Sequence, residues 1–306
     1  MSTRTFVVGT RGSRLALRQT EIVLELLCTQ HPDATFETHT IKTEGDTSTA
    51  PLSEIGGRGV FVIEIERALL AGDIDFAVHS LKDLPADETP GLTIAATPER
   101  EDVRDALITR DGIGLHELQP GATVGTGSAR RATQVLGLRP DLTVRDIRGN
   151  VDTRIAKVDE GEYDAAILAL AGLKRIGLDG RVSQVFTPTE IMPAVGQGAL
   201  AVQCRADDYE TQQLIAAIDD SATRTAVTAE RAFERRLGAG CSAAIAAMGT
   251  LERSGALRLR GLVGQPGGRI LRAEMESPPT EAEMLGVRLA EFLIAQGAEE
   301  LLEAPA

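Results

Sequence analysis

The sequence predicts an α/β fold over its first two thirds and a smaller α+β domain at its C-terminal end. Short apolar runs alternate with helical patterns as far as about residue 220, which is typical of a mostly parallel sheet with crossover helices. Beyond that point, three strand patterns follow one another, and a helix follows them. A chain of 306 residues with 42% hydrophobic content can fill the cores of two or three domains.

The α/β part is predicted to contain short strands separated by helices. The strands are expected at Phe6 to Gly9, Phe36 to Ile41, Ile74 to Val78, Leu92 to Ala96, Ala106 to Thr109, Ala122 to Gly125, Thr143 to Ile147 and Ala165 to Leu168. A helix after Ser13 and further helices at 59–71, 128–137, 152–160 and 208–218 are expected between them. Ser13 is a suitable N-cap, and the first helix is predicted to present Leu15, Ile22 and Leu26 to a core.

The C-terminal domain is predicted to begin with a long helix and to continue as a sheet. The helix runs from Ser221 to about Leu237. Strands joined by turns with Gly and Pro follow at Ile245 to Leu251, Leu257 to Val263 and Ile270 to Glu276, before a helix from about Glu281 to Ala295. In the first part of the chain, the charged stretch 98–102 and the segment 193–198 are candidate crossings between domains.

Composition argues against several classes of function. The formal charge of -13, the 3% aromatic content and the lack of Trp oppose nucleic acid as a partner. No apolar stretch reaches the ~20 residues of a membrane span, and the N-terminal apolar run is too short for a signal peptide. The three cysteines lack CxxC spacing and fit a reducing compartment. Cys28 is expected on the apolar face of its helix and Cys204 in a strand, both as structural residues. We therefore expect a cytoplasmic protein without a membrane contact, and the cysteine and histidine spacings predict no metal site.

Arginines cluster in glycine-containing segments that follow predicted strands and open predicted helices. The segments are Gly9-Thr10-Arg11-Gly12-Ser13, Gly125-Thr126-Gly127-Ser128-Ala129-Arg130-Arg131, Arg148-Gly149-Asn150-Val151-Asp152-Thr153-Arg154 and Ala171-Gly172-Leu173-Lys174-Arg175. In open α/β sheets, ligands bind beyond the carboxyl ends of strands, where helix N-termini favour negative charge. Arginine holds carboxylates bidentately. The glycine spacings match neither the dinucleotide-binding fingerprint nor the P-loop motif, so nucleotide phosphate is disfavoured as the ligand. The segments therefore predict a carboxylate-binding cleft; for each single arginine, the alternative is an ion pair within the protein.

Two further segments carry residues suited to chemistry. Cys241 lies among glycines and small residues in Leu237 to Ala244, where another molecule can approach the sulfur closely; the alternative is an inert small residue. Asp83 lies in His79-Ser80-Leu81-Lys82-Asp83-Leu84-Pro85, after a predicted strand. This position faces the predicted cleft, and the alternative for Asp83 is a cap or turn former.

Together with Pro193 to Ala199, these segments resemble the porphobilinogen deaminase (hydroxymethylbilane synthase) family in order and spacing. The resemblance extends from about residue 5 to the Cys241 loop and more loosely to the C-terminus. It implies two periplasmic-binding-protein-like, doubly wound α/β lobes plus a small C-terminal α+β domain. The implied domains are 1–98 with 198–218, 99–197, and 219–306, the last of which carries Cys241.

The resemblance also implies an activity and a site. The implied enzyme is a transferase that condenses four porphobilinogen molecules stepwise onto a dipyrromethane held covalently by Cys241, and then releases hydroxymethylbilane by hydrolysis for tetrapyrrole (heme) biosynthesis. Asp83 is the implied catalytic residue. The implied cofactor-binding residues are Cys241, Ser13, Lys82, Asp83, Ser128, Arg130, Arg131, Arg148, Arg154 and Gln197. The implied substrate-binding residues are Arg11, Ser13, Phe61, Arg148, Arg154 and Arg175. The implied enzyme is a monomer that passes its product to uroporphyrinogen III synthase.

Some positions depart from the family's pattern, and two other classes of protein remain open. Ala239 replaces a glycine, Ala243-Ala244 replaces Val-Pro, and Gly127 stands where serine is common. The alanines bear on the rigidity of the cysteine loop, because proline restricts the backbone. Glycine at 127 lacks the hydroxyl group with which a serine could hydrogen-bond to the substrate. A two-lobed carboxylate-binding or ligand-sensing protein would need no cysteine or aspartate in its cleft. A cysteine hydrolase would need a histidine partner, and the sequence places none near Cys241.

Overall fold

The computed structural model describes residues 4–43, 62–238 and 244–303. Its strands are β1 (Thr5–Thr10), β2 (Thr35–Thr40), β3 (Phe76–Ser80), β4 (Leu92–Ala96), β5 (Asp105–Thr109), β6 (Thr123–Gly125), β7 (Thr143–Arg145), β8 (Ala165–Ala169), β9 (Gln184–Val185), β10 (Leu200–Arg205), β11 (Ala244–Leu251), β12 (Leu257–Gly264) and β13 (Ile270–Ser277). Its α-helices are α1 (Arg14–Gln30), α2 (Ile63–Ala71), α3 (Ala129–Leu138), α4 (Val151–Asp159), α5 (Leu170–Arg175), α6 (Tyr209–Ala216), α7 (Ser221–Leu237), α8 (Ala282–Ile294) and α9 (Ala298–Glu303). The chain separates into two compact units: the first reaches Glu101 and includes Ala199–Arg224, and the second contains Asp102–Gly198 and the residues from Thr225 onward.

The first unit contains a five-stranded sheet in the order β2-β1-β3-β10-β4. β2, β1 and β3 are parallel, whereas β10 runs antiparallel to both of its neighbours. From β1, the chain crosses through α1 to β2 and comes back through α2 to β3 on the other side of β1. Such a reversal marks the carboxyl ends of β1 and β3 as the place where a doubly wound sheet binds ligands.

The buried face of α1 differs in part from the predicted one. Ile22 packs against the core of the first unit, whereas Leu26 is 40% exposed and Leu15 is only half-buried. The buried positions of the helix are Ala16, Gln19, Thr20, Val23 and Leu27. Thr20 donates to a backbone carbonyl of the preceding turn at 3.1 Å, and Gln19 donates to a β3 hydroxyl at 2.8 Å. The buried face therefore excludes Leu26 and includes two polar side chains, whose burial is tolerated because their hydrogen bonds are satisfied.

The second unit repeats this connectivity in a sheet of order β7-β6-β8-β5-β9. β7, β6 and β8 are parallel, and β5 runs antiparallel to β8 and β9. The chain passes from β6 through α3 to β7 and returns through α4 to β8, so that the winding reverses between β6 and β8. Both sheets are therefore doubly wound, and the two predicted α/β lobes are confirmed.

The C-terminal part of the second unit is an antiparallel meander, β11-β12-β13, that packs against helices. Gly261 of β12 lies beneath Phe233 of α7, since a Cβ there would be 2.7 Å from the phenyl Cζ. The helices α7 and α8 approach closely at Gly286, where a Cβ would lie 2.3 Å from the carbonyl oxygen of Ala229. The predicted α+β character of this region is confirmed.

Candidate functional site

The carboxyl edge of the first sheet gathers Arg11, Ser13, Lys82 and Asp83, all of them half-buried. Arg11 and Ser13 follow β1, and the Ser13 Oγ accepts from a backbone N–H of the first turn of α1 at 3.2 Å. Ser13 is therefore the N-cap, as predicted. Lys82 and Asp83 lie in a 3-10 turn directly after β3. These four predicted residues share one edge because β1 and β3 are parallel neighbours.

The Asp83 carboxylate makes no hydrogen bond or ion pair with any residue that the structure describes. Asp83 is half-buried, so its carboxylate has lost part of its hydration without gaining a partner. Asp75 of the same unit shows the contrast, since it accepts the N–H of Val7 at 2.7 Å and pairs with Arg4 at 2.6 Å. A carboxylate without a partner at a strand end is suited to a ligand rather than to stabilising the fold.

His79 of β3 is buried close to this edge, with 6% of its surface exposed. Burial lowers the pKa of His79 to about 4; the neighbouring Gln203 opposes the shift, and the positive charge of Arg11 adds to it. The imidazole is therefore neutral at pH 7, so it adds no buried positive charge beside the half-buried Arg11.

Acid should destabilise the protein through His79. Because its folded pKa of about 4 lies below the ordinary 6.5, the stabilising contribution of the neutral ring is full above pH 6.5 and is lost as the pH falls to about 4. At about 1.4 kcal/mol per pKa unit, this contribution is about 3 kcal/mol. Urea unfolding should show that the free energy of unfolding of His79→Gln falls less between pH 7 and 4 than that of the wild type. His116→Gln, at an exposed histidine, is the control, and an unchanged slope in His79→Gln would assign the acid sensitivity to other groups.

The carboxyl edge of the second sheet is organised around Asp105, a fully buried residue at the start of β5. Arg130 Nη1 donates to its Oδ2 at 2.7 Å. Arg131 donates to Oδ1 through Nε at 3.0 Å and through Nη2 at 2.7 Å. Gln197 Nε2 donates to the same oxygen at 3.0 Å. Arg130, Arg131 and Gln197, all predicted site residues, thus meet at the carboxylate of Asp105. Asp105 itself was not predicted, although the sequence shows an acidic residue directly before an apolar strand.

This buried network is charged. Burial alone would raise the pKa of Asp105, but the guanidiniums of Arg130 and Arg131 hold it well below its usual range. Arg130 Nη1 also donates to the carbonyl of Met192 at 2.6 Å. Arg131 Nη1 donates to the carbonyl of Ile167 at 3.0 Å, so every guanidinium nitrogen of Arg131 has a partner in the protein. The contact of these two arginines with a cofactor stays a prediction.

Arg148, Arg154 and Arg175 lie along the same edge and are half-buried. Arg148 Nε donates to Asp146 Oδ2 at 2.8 Å. Arg154 and Arg175 each donate to a backbone carbonyl, at 2.8 and 2.6 Å. Ser128 caps α3 by accepting from a backbone N–H of its first turn at 3.4 Å. These residues follow β6, β7 and β8, which explains why the parallel strands bring them to one edge.

Glu230 of α7 fixes the loop that carries Gln197. Its buried carboxylate accepts the N–H of Gly196 and the N–H of Gly249, each at 2.8 Å. These charge-assisted bonds connect the loop before β10 to β11. Glu230 was not predicted from the sequence, although an acidic residue on the buried face of a long helix is a usable signal.

Two predicted site residues, Phe61 and Cys241, lie outside the described residues. The prediction that Cys28 lies on the apolar face of its helix is wrong: Cys28 is exposed, because the buried face of α1 is a different one. Cys204 is buried in β10, as predicted. Burial and then the charge of Asp208 raise the pKa of the Cys204 thiol to about 12, so it is not a thiolate at neutral pH.

None of the described helices is long and apolar enough to cross a membrane. Within the described ranges, His, Cys, Asp and Glu side chains form no group of three that could hold a metal ion.

Family models and named relatives agree on one family. The model described as "Porphobilinogen deaminase, dipyromethane cofactor binding domain" matches residues 6–213, and "Porphobilinogen deaminase, C-terminal domain" matches residues 224–295. A relative from Roseiflexus sp. (strain RS-1), named porphobilinogen deaminase, is 49% identical and covers 98% of this chain and 99% of its own. One from Thermus thermophilus with the same name is 48% identical, with 98% of each chain covered. Among solved structures, the Salmonella typhimurium periplasmic binding protein STM4351 has 14% identity and a TM-score of 0.41, covering 72% of this chain and 94% of its own.

Proposed function

Because the chain belongs to the porphobilinogen deaminase family, we propose that residues at the carboxyl edges of its two α/β sheets carry out that family's reaction. The chain is an enzyme of tetrapyrrole (heme) biosynthesis that uses a dipyrromethane cofactor. As a transferase, it joins four porphobilinogen molecules one at a time, and a final hydrolysis releases hydroxymethylbilane. A non-catalytic carboxylate-binding protein and a cysteine hydrolase are set aside, since relatives covering nearly the whole chain are named deaminases.

The chemistry of the second edge fits a cofactor that bears carboxylates. Arg148, Arg154 and Arg175 offer half-buried guanidiniums, which suit the acetate and propionate groups of linked pyrroles. When bound as a thioether of Cys241, dipyrromethane supplies a tethered pyrrole α-carbon as the acceptor, and each addition becomes effectively intramolecular. We assign cofactor binding to Cys241, Ser13, Lys82, Asp83, Ser128, Arg130, Arg131, Arg148, Arg154 and Gln197. We assign substrate binding to Arg11, Ser13, Phe61, Arg148, Arg154 and Arg175.

The observation that carries the catalytic assignment is the half-buried Asp83 carboxylate without a partner among the described residues. Each addition expels ammonia from the aminomethyl group of porphobilinogen, forms a carbon–carbon bond and removes one proton from a pyrrole α-carbon. Positive charge develops on a pyrrole nitrogen as ammonia leaves. A fixed carboxylate stabilises that charge and can accept or return a proton. Asp83 can do so without first breaking an ion pair with any residue that the structure describes.

Basic residues share the edge with Asp83. Arg11 and Lys82 bring positive charge to the same strand ends, where they can hold the substrate carboxylates while Asp83 faces the pyrrole nitrogen. The basic residues thereby bind the substrate, and the acidic Asp83 stabilises the positive charge that develops on the pyrrole.

The wider organisation follows the family assignment. We propose domains of 1–98 with 198–218, 99–197 and 219–306. We also propose that the enzyme is a cytoplasmic monomer and that its product is passed to uroporphyrinogen III synthase.

Intact-mass spectrometry tests the assignment of the cofactor thiol. The purified protein should be heavier than its sequence by two linked pyrrole units, and peptide mapping should place the extra mass on Cys241. Cys241→Ser should have the bare sequence mass and no activity. Cys28→Ser, at an exposed thiol, is the matched control and should retain both the extra mass and the activity. An active protein with the bare mass, or with the modification on Cys28 or Cys204, would contradict the assignment.

A further inference from the structure

Asp146 and Gly127 lie beside each other at the carboxyl edge of the second sheet. β6 and β7 are parallel neighbours, and their register pairs Gly125 with Arg145. Asp146 is the first residue after β7, and Gly127 is the second residue after β6. Both therefore lie at the strand ends that carry the arginine segments.

The Asp146 carboxylate holds one side of the Arg148 guanidinium. Nε of Arg148 donates to Asp146 Oδ2 at 2.8 Å. Arg148 has no other hydrogen bond or ion-pair partner among the described residues. The two terminal nitrogens are thus left available as a fork, in contrast to those of Arg131, which are taken by Asp105 and a backbone carbonyl.

The backbone around Asp146 is held on both sides. Its carbonyl accepts from the hydroxyl of Tyr163 at 2.6 Å. The carbonyl of the preceding Arg145 accepts from the N–H of Thr126 at 2.9 Å, and the following Ile147 is fully buried. Asp146 therefore presents its carboxylate from a fixed position, although the side chain itself is 45% exposed.

The carboxylate uses space that exists only because residue 127 is glycine. A Cβ on Gly127 would lie 2.4 Å from Asp146 Oδ1, well inside van der Waals contact. The obstructing atom is the end of an acidic side chain rather than backbone. A larger residue at 127 would therefore displace the carboxylate and would not disturb the strands.

We propose that Asp146 is a positioning residue for the deaminase reaction: through Nε it orients Arg148 so that the terminal nitrogens face a carboxylate of the pyrrole substrate, and Gly127 is the partner that makes this possible. The proposal rests on the proposed role of Arg148 in substrate binding. Arg148 would contact a carboxylate that does not react, so that orientation affects ground state and transition state alike and changes KM more than kcat.

The test uses cofactor-loaded enzyme, with the loading of each variant confirmed by mass. Asp146→Ala should raise KM for porphobilinogen on the order of tenfold, as expected for one misplaced charge-assisted contact, with kcat changed little. Asp146→Asn keeps an oxygen acceptor for Nε and should restore KM to near the wild-type value. Gly127→Ala should reproduce the KM of Asp146→Ala without a loss of thermal stability. The double variant should be no worse than either single variant, because both remove the same contact.

Two controls separate this proposal from the assignment it rests on. Gly180→Ala adds a methyl group where no atom lies within 4 Å, and it should leave KM unchanged. Arg148→Leu should raise KM at least as much as Asp146→Ala. If Arg148→Leu raises KM but Asp146→Ala or Gly127→Ala does not, the positioning role is overturned while the substrate assignment stands. If Arg148→Leu has the wild-type KM, the substrate assignment of Arg148 is wrong, and the positioning proposal is overturned with it.

Discussion

Replacing Asp83 by Asn should reduce turnover of porphobilinogen by roughly 10²–10⁴-fold, the range expected when a positioned acid–base group is removed. Asn has nearly the same shape but neither the negative charge nor the proton acceptor. Because Asp83 has no partner among the described residues, no ion pair is broken and the fold should be unaffected. The effect should appear in kcat, since positive charge on the pyrrole develops only as ammonia leaves.

The experiment requires an Asp83→Asn enzyme whose pyrrole modification has been confirmed by mass. Consumption of porphobilinogen is then followed alongside the wild type and Asp73→Asn, which changes an exposed carboxylate of the same unit. Asp83→Glu should recover part of the rate because it keeps the charge. Near-normal consumption by a correctly loaded Asp83→Asn enzyme would place the catalytic carboxylate elsewhere.

Replacing Asp105 by Ala should lower the free energy of unfolding by about 3–5 kcal/mol, the usual result when one partner of a buried ion pair is removed. The guanidiniums of Arg130 and Arg131, which are 4% and 7% exposed, would then lie buried without a counter-ion. Gln197 Nε2 would also lose its hydrogen bond to Asp105. Because the two arginines keep the pKa of Asp105 low, its stabilising contribution is present above pH 3.8 and is lost as the pH falls.

Chemical unfolding at pH 7 measures this loss. Asp159→Ala is the matched control, because it removes an aspartate–arginine pair with Arg181 that is about 40% exposed on both sides, and such pairs contribute about 0–1 kcal/mol. A loss for Asp105→Ala no larger than that of the control would show that the buried network contributes no more than a surface pair.

Elements with strong local patterns were predicted well from the sequence. The long helix was expected from Ser221 to about Leu237, and α7 has these bounds. β4 likewise covers Leu92–Ala96, as predicted. Both elements have a clear apolar period, and their neighbours along the chain give clear ends. The placement of Arg11 and Asp83 at strand ends also followed from local sequence, because it depends only on where each strand stops.

The tertiary structure decided which polar groups meet. Arg131 and Arg148 look alike in the sequence, yet Arg131 is enclosed by Asp105, whereas the terminal nitrogens of Arg148 have no partner among the described residues. The antiparallel direction of β10 likewise depends on pairing with β3, more than a hundred residues away in the chain. Local sequence determines where strands and turns form because it sets backbone preference and apolar period. It cannot determine which carboxylate faces which guanidinium, because that depends on how distant segments pack, and on the loss of solvent that makes each pairing strong or weak.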